Sequence, residues 1–412
     1  MNERPAEPTE RWSQLAMLSL AVLLILGTWF SGSAVAPSLS REWGLDAIGV
    51  ATLTVAVQLG FAFSAVLLAS LGVPDVLPAR WLMTAGGLVA AASTAAFALF
   101  SHDLASAVPF RFLTGAGIAA VYPIGMKVLS GWFNQQRGLA VGTLIGAITI
   151  GSALPHLLRA AGLALALDWQ PIVLAASGAA AVGTLIAMVG VAEGPFSVPA
   201  ARFSIAVARA ALQERSVLLA NLGYLGHMWE LFAMWSWIPA FLAASWALTG
   251  ITTPAFASLG AFTVVAAGGL GCVVAGALAD RLGRTTLTIA AMALSGTSAI
   301  VTGLLFGAPA AVVFAVAVVW GVTVVADSAQ FSTAVSELAP PGTAGSALTL
   351  QTAAGFLLTA VTIYAVSLLD PTDGAGWRIA FVVLAVGPAL GIVAMWRLRR
   401  RPEAMLMAGG RR

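Results

Sequence analysis

Twelve apolar runs of about twenty residues or more fill this chain from residue 14 to residue 397 and leave little room for anything else. As an α-helix rising 1.5 Å per residue, a run of that length crosses the roughly 30 Å hydrocarbon layer of a bilayer and satisfies its own backbone hydrogen bonds. The runs lie at 14–38, 47–71, 79–100, 104–132, 138–161, 169–192, 216–246, 254–279, 285–306, 309–338, 343–368 and 376–397. They are numbered here as spans 1 to 12. With 59% hydrophobic residues, 9% charged residues and a mean hydropathy of +0.94, the chain cannot cover a water-facing surface. A soluble domain carries about 25% charged residues. The reading is an all-α membrane protein with the lipid bilayer as its main neighbour. The single cysteine, Cys272, excludes a disulfide within the chain and a thiolate metal cluster. No metal, cofactor or nucleic-acid partner is expected.

The runs divide into two sets of six. The one long polar interruption, 193–215, holds Pro195, Pro199, Arg202, Arg209, Glu214 and Arg215. It reads as a linker in which 202–215 forms a short interfacial helix. The expected organisation is a bundle at 1–192, a cytoplasmic linker at 193–215, and a second bundle at 216–412 that carries a basic tail. An internal echo supports a duplication. Asp280 and Arg284 in GALADRLGR stand about 205 residues after Asp75 and Arg80 in GVPDVLPAR, each pair between two apolar runs. Trp169 and Trp377 open the sixth span of each set, where an indole suits the membrane–water interface.

The arginines orient the chain. With both termini inside, the inner segments hold Arg4, Arg11, Arg80, Arg137, Arg202, Arg209, Arg215, Arg281, Arg284 and the cluster at 397–412. The outer loops hold Arg41, Arg159 and Arg378, so the positive-inside rule is obeyed. Both aspartate–arginine hairpins then face the cytoplasm of a bacterial inner (plasma) membrane. Arg11, the first apolar run and Ala34-Val35-Ala36 also resemble a secretory signal, but Pro37 would follow the cut and the run is long for a signal core. An uncleaved span 1 is expected.

These features resemble the major facilitator superfamily along essentially the whole chain. GALADRLGR matches that family's loop signature, and Asp75–Arg80 matches it in part. Arg111 followed by Gly115 and Gly117 in span 4 matches a second pattern. Trp132-Phe133 with Arg137, Gly138 and Gly142 resembles the turn between spans 4 and 5 of the family's anion and organic-acid branches. The span 5 glycine-proline-glycine-glycine pattern of drug/proton antiporters is absent, and Gln58 stands in span 2 where nitrate porters carry arginine. The resemblance implies a secondary transporter with spans 1, 4, 7 and 10 lining a central cavity.

An ionisable side chain within a span is costly and marks function by default. The candidates are Arg111 and Lys127 in span 4, His156 in span 5, His227 and Glu230 in span 7, and Asp327 and Glu337 in span 10. His227 and Asp327 each lie eleven residues from the inner end of their span, which places both about 16 Å deep, near the midplane. Glu230 follows His227 on the same helix face, and Tyr224 and Asn221 continue that face inward. Asp327, Glu230 and His227 form a candidate proton site. The alternative is a permanent structural network in which the two acids pair with His227 or Arg111. Trp29, Gln58, Gln330 and Gln351 are candidate cavity contacts, while most other tryptophans read as packing. Asp75, Arg80, Lys127, Asp280, Arg281, Arg284 and Glu337 are candidates for a cytoplasmic gate. In that gate an aspartate pairs with a neighbouring arginine or with the positive N-terminus of an adjacent helix. Alternatively, Arg80, Arg281 and Arg284 are only topology anchors. Lys127, the sole lysine, is an anchor or a gate charge. His156 receives no role.

The expected function is proton-coupled uptake of a small organic or inorganic anion by a monomeric transporter. Proton-driven efflux of a metabolite or drug, and a non-transporting membrane sensor, are the alternatives. No catalytic motif points to an enzyme.

Overall fold

Helix is the only regular backbone found in the described residues, 8–197 and 203–411 of this computed structural model. Eleven of the twelve expected spans are helices long and apolar enough to cross a membrane. The twelfth, span 7 (Arg215–Ala247), is the longest unbroken helix at 33 residues, and Asn221, Tyr224, His227, Glu230 and its tryptophans dilute its hydropathy. Its polar groups are nevertheless turned inward: Asn221, His227 and Glu230 are all buried. The outward surface is apolar, with Leu270, Leu390 and Phe63 all well exposed, as suits a molecule whose solvent is lipid.

Three spans are broken in mid-course. Span 1 consists of Arg11–Leu26 and Ser31–Trp43, span 4 of Leu104–Ala119 and Tyr122–Trp132, and span 10 of Ala310–Val324 and Ser328–Leu338. In span 4 Pro123 cannot donate to the preceding turn, which accounts for the interruption there. In span 1 the hydroxyls of Thr28 and Ser31 bond back to the carbonyls of Ile25 and Thr28 and compete with the helix ladder. A break inside a membrane leaves backbone groups that protein must satisfy, so it creates a place for polar side chains.

The two sets of six helices meet along two seams. Spans 5 (Arg137–Ala164) and 8 (Pro254–Leu282) pack backbone to backbone near the arginine-rich end. A Cβ added at Gly142 would lie 2.5 Å from the Cys272 carbonyl, and one at Gly276 would lie 2.4 Å from that of Gly138. Only glycine permits such an approach. Spans 2 (Ala47–Ser70) and 11 (Ala344–Leu369) meet in their outer halves, where Phe61 and Phe356 are 4.3 Å apart and the hydroxyls of Thr52 and Tyr364 are 3.0 Å apart.

The expected linker, 193–215, includes residues 198–202, which lie outside the described residues and carry the expectations for Pro199 and Arg202; Arg4 and Arg412 do so too. Beyond them, Ile205–Gln213 forms the expected short helix, capped by the Ser204 hydroxyl. Trp169 and Trp377 open the last helix of each set as expected, and both are buried against protein. Trp169 stacks on Phe97 and donates to Glu42, and Trp377 packs on Phe241 and Phe381. Each bundle has an aromatic neighbour ready for the indole.

Candidate functional site

A cavity of about 630 Å³ opens between the inner halves of spans 2, 4, 5, 10 and 11, on the end that carries Asp75, Lys127, Arg284 and Glu337. Tyr122 and Gln330 lie at its lining, with Ser332, Thr333, Thr349 and Thr352 supplying hydroxyls. Towards the opposite end from these charges, rings from both bundles close together. Trp29 lies 5.3 Å from Phe61, 5.5 Å from Phe232 and 5.4 Å from Phe356, and Phe61 stacks on Tyr122. Spans 1, 2, 4, 7 and 11 each contribute to this plug. Among its rings, Phe61, Phe232 and Phe356 carry no polar atom, and nothing among the polar and ionisable residues of the sequence singled them out.

Beside this plug lies a buried acid–base pair. The break in span 10 leaves Asp327 immediately before the inner helix, and its Oδ1 is 2.9 Å from Nδ1 of His227. Both side chains are 1% exposed. The separation is that of an ion pair, yet neither carboxylate oxygen receives a hydrogen bond, and Nε2 of His227 has no partner. Phe331 and Tyr224 pack against the imidazole at 5.5 and 6.3 Å. Unfilled hydrogen-bonding capacity continues nearby on the helix faces that carry the candidate cavity contacts. Both amide atoms of Gln58, the indole nitrogens of Trp29 and Trp235, and Nε2 of Gln351 are buried and unpartnered. A buried polar group without a partner costs about 1–3 kcal/mol, so this many in one protein mark a place left for something else.

Glu230 and Arg111 are different. Glu230 points away from His227 into its own bundle, where Oε1 accepts from Trp320 (2.7 Å) and Oε2 from Ser295 (2.8 Å). Arg111 is fully buried and spends its guanidinium on backbone. Nη1 donates to the Thr28 carbonyl and the Ser31 hydroxyl, Nη2 to the Trp29 carbonyl, and Nε to the Leu53 carbonyl. It collects the carbonyls freed by the break in span 1 and packs over Phe97. Neither side chain lines the cavity, and nor do His227, Asp327, Tyr224, Trp29, Gln58 or Gln351; of the candidate solute contacts Gln330 alone does.

The charged end holds one pair in each bundle. Lys127 reaches the Asp75 carboxylate (3.1 Å) and the Pro74 carbonyl. Arg284 bridges Asp280 (3.0 Å), Glu337 (3.1 Å) and the amide oxygen of Gln330 (2.9 Å). The acid therefore sits on the hairpin in the first half, whereas in the second an acid on span 10 meets an arginine at the start of span 9 (Arg284–Leu304). Arg80 does not repeat Arg284; it stacks over Trp81. Arg281 lies in the last turn of span 8, and its part in a gate rests on the sequence alone. Asp280 does approach the other bundle: its Oδ2 would lie 3.0 Å from a Cβ on Gly138, in the first turn of span 5, where the helix dipole favours an anion. The tail folds onto this network, with the Ala408 amide donating to Glu337 and Arg411 to the Asp280 carbonyl. In the tail, the hydrogen bond from Arg401 holds the Glu403 carboxyl below its ordinary value.

The family model of the Major Facilitator Superfamily matches residues 17–363. The chain belongs to this superfamily. It is thus a multi-pass secondary transporter by family and not an enzyme. Solved structures agree in fold. The partially occluded inward-open xylose transporter XylE from E. coli superposes with a TM-score of 0.72 at 15% identity, covering 95% of this chain and 98% of that one. A double-tryptophan variant of XylE gives 0.72 at 14% identity, covering 97% and 99%. XylE described as a proton:xylose symporter with bound 6-bromo-6-deoxy-D-glucose gives 0.70 at 15%, covering 94% and 96%. No curated protein sequence matches the chain significantly.

Proposed function

We propose that this facilitator carries a small organic or inorganic anion together with protons, as a monomer, with both termini in the cytoplasm of a bacterial inner membrane. The observation that carries the reading is the His227–Asp327 pair: two titratable groups 2.9 Å apart and buried together, with Nε2 of the imidazole unpartnered. A carboxylate beside an imidazole at the bilayer midplane can take a proton from one side and give it to the other as access alternates. In this reading the cavity faces the cytoplasm, the rings around Trp29 are the closed outer gate, and Gln58, Gln330, Gln351 and Tyr224 contact the solute. Asp75, Arg80, Lys127, Asp280, Arg281, Arg284 and Glu337 form the inner gate. Arg111 and Glu230 then support the site from within their own bundles.

The anion preference draws on the turn between spans 4 and 5 and on cations without acidic partners in the outer half. A neutral polyhydroxylated solute is a second reading, favoured by the hydroxyl and amide lining of the cavity and by inner charges already paired within each bundle. Melting temperatures of the purified protein with lactate, succinate, acetate, phosphate, sulfate and xylose separate the two, since a ligand that binds only the folded state raises stability. The proposal expects stabilisation by one class of anion, and stabilisation by xylose alone would remove it. Flux of the stabilising solute into proteoliposomes under an imposed pH gradient then gives direction: accumulation on the alkaline side means symport, and extrusion against the proton flow means efflux.

A further inference from the structure

The outer half of span 5 carries a polar ladder that the proposed proton site leaves unused. Ser152, His156 and Arg159 follow one another at single-turn spacings, so they share a helix face. His156 lies five helical turns beyond Gly138 and so stands above it on the face that meets span 8 at Gly142 and Thr149. All three are more than nine-tenths buried. The Ser152 hydroxyl and Nδ1 of His156 are buried without a hydrogen-bond partner, whereas the guanidinium nitrogens of Arg159, a residue 7% exposed, are not among the buried unpartnered atoms and so reach the surface of the bundle. Glu42, beside Arg41 in the chain, accepts from Trp169 at 2.7 Å.

A guanidinium mostly packed into a bundle, close to an unpartnered imidazole, is favoured where its tip can meet an anion. This face continues the seam between the bundles outward, so separation of the outer halves would uncover it. We infer that Ser152, His156 and Arg159 line the outer vestibule and capture small carboxylates or inorganic oxyanions on their way to the central site. The hydroxyl and imidazole N–H offer single donors, and the arginine fork suits a planar or tetrahedral oxyanion. The inference rests on the alternating-access reading above and adds to it a second, external anion site.

The test needs no knowledge of the solute. In the full chain with Cys272→Ser, Ser152→Cys supplies a single thiol at the foot of the ladder. Its rate of modification from the outside is compared for an anionic sulfonatoethyl and a cationic trimethylammonioethyl methanethiosulfonate, each relative to a free thiol. The inference expects the anionic reagent to be favoured at least tenfold. Adding Arg159→Gln should reduce that preference below threefold, while Arg159→Lys, which keeps the charge, should preserve most of it. Equal rates for the two reagents in the parent would overturn the external site and leave alternating access standing. A preference that survives Arg159→Gln would also overturn it. A thiol that reacts with neither reagent, in protein that is folded and monodisperse, would overturn the alternating-access reading together with this one.

Discussion

The two bundles bury their charge for opposite ends. In the first, Arg111 enters a span and meets the Thr28 and Trp29 carbonyls that a helix break has freed, together with the Ser31 hydroxyl and the Leu53 carbonyl of span 2. Charge and break satisfy each other, and nothing is left over. In the second, a helix break leaves Asp327 beside His227 with both carboxylate oxygens and one imidazole nitrogen empty. The same device, an interrupted span meeting an ionisable side chain, yields a clasp in one half and a reserve of unfilled valence in the other. Burial of a charge alone therefore does not indicate function; the unfilled donors and acceptors around it do.

The largest effect that bears on this contrast belongs to Asp327. Under a gradient of about two pH units, one coupled proton supports about 100-fold accumulation of a monovalent anion, each unit being worth about 1.4 kcal/mol. Asp327→Asn is expected to bring accumulation down to equilibration while solute counterflow persists. Retained accumulation would put the two bundles on the same footing. Arg111→Lys comes next. It keeps the charge but cannot span the Thr28, Trp29 and Leu53 carbonyls at once. Forfeiting two hydrogen bonds at about 0.6 kcal/mol each, the variant should show accumulation and counterflow reduced together by about tenfold, alongside a lower melting temperature. A loss of accumulation with normal counterflow and normal stability would instead mark Arg111 as part of the transport site. The smallest effect is expected of Glu230→Gln. A glutamine can accept from Trp320 and donate to the Ser295 hydroxyl, so both hydrogen bonds survive. Transport within about threefold of the parent, the scale of one membrane hydrogen bond at about 0.6 kcal/mol, is the expected result of an uptake assay. A defect as deep as that of Asp327→Asn would draw Glu230 back into the proton site.

Hydropathy made the span positions legible because a helix that must cross lipid has few other ways to be written. Equal distances from the inner ends of spans 7 and 10 also put His227 and Asp327 at one depth, and the structure brings them within 2.9 Å. What periodicity could not show was direction around each helix. Glu230 and His227 are one turn apart, yet a helix face is wide enough for one to meet Trp320 and Ser295 and the other Asp327. Nor could it show the breaks: span 10 is interrupted at Val325–Asp327 without a glycine or a proline, and the partner that fills Arg111 exists only because span 1 gives way at Gly27–Phe30. The hairpin echo was misleading in one respect. Asp75 and Asp280 do occupy related positions, but Lys127, about fifty residues further on, takes the place expected for Arg80.

The most direct measurement of the central claim is the proton itself. Purified protein in weakly buffered solution with a pH-indicator dye is mixed with the solute that stabilises it, and proton exchange on binding is read by stopped flow. The account predicts that binding draws protons from solution in the parent and that the signal disappears in Asp327→Asn, although the solute still stabilises the variant. An undiminished proton signal in Asp327→Asn would contradict it.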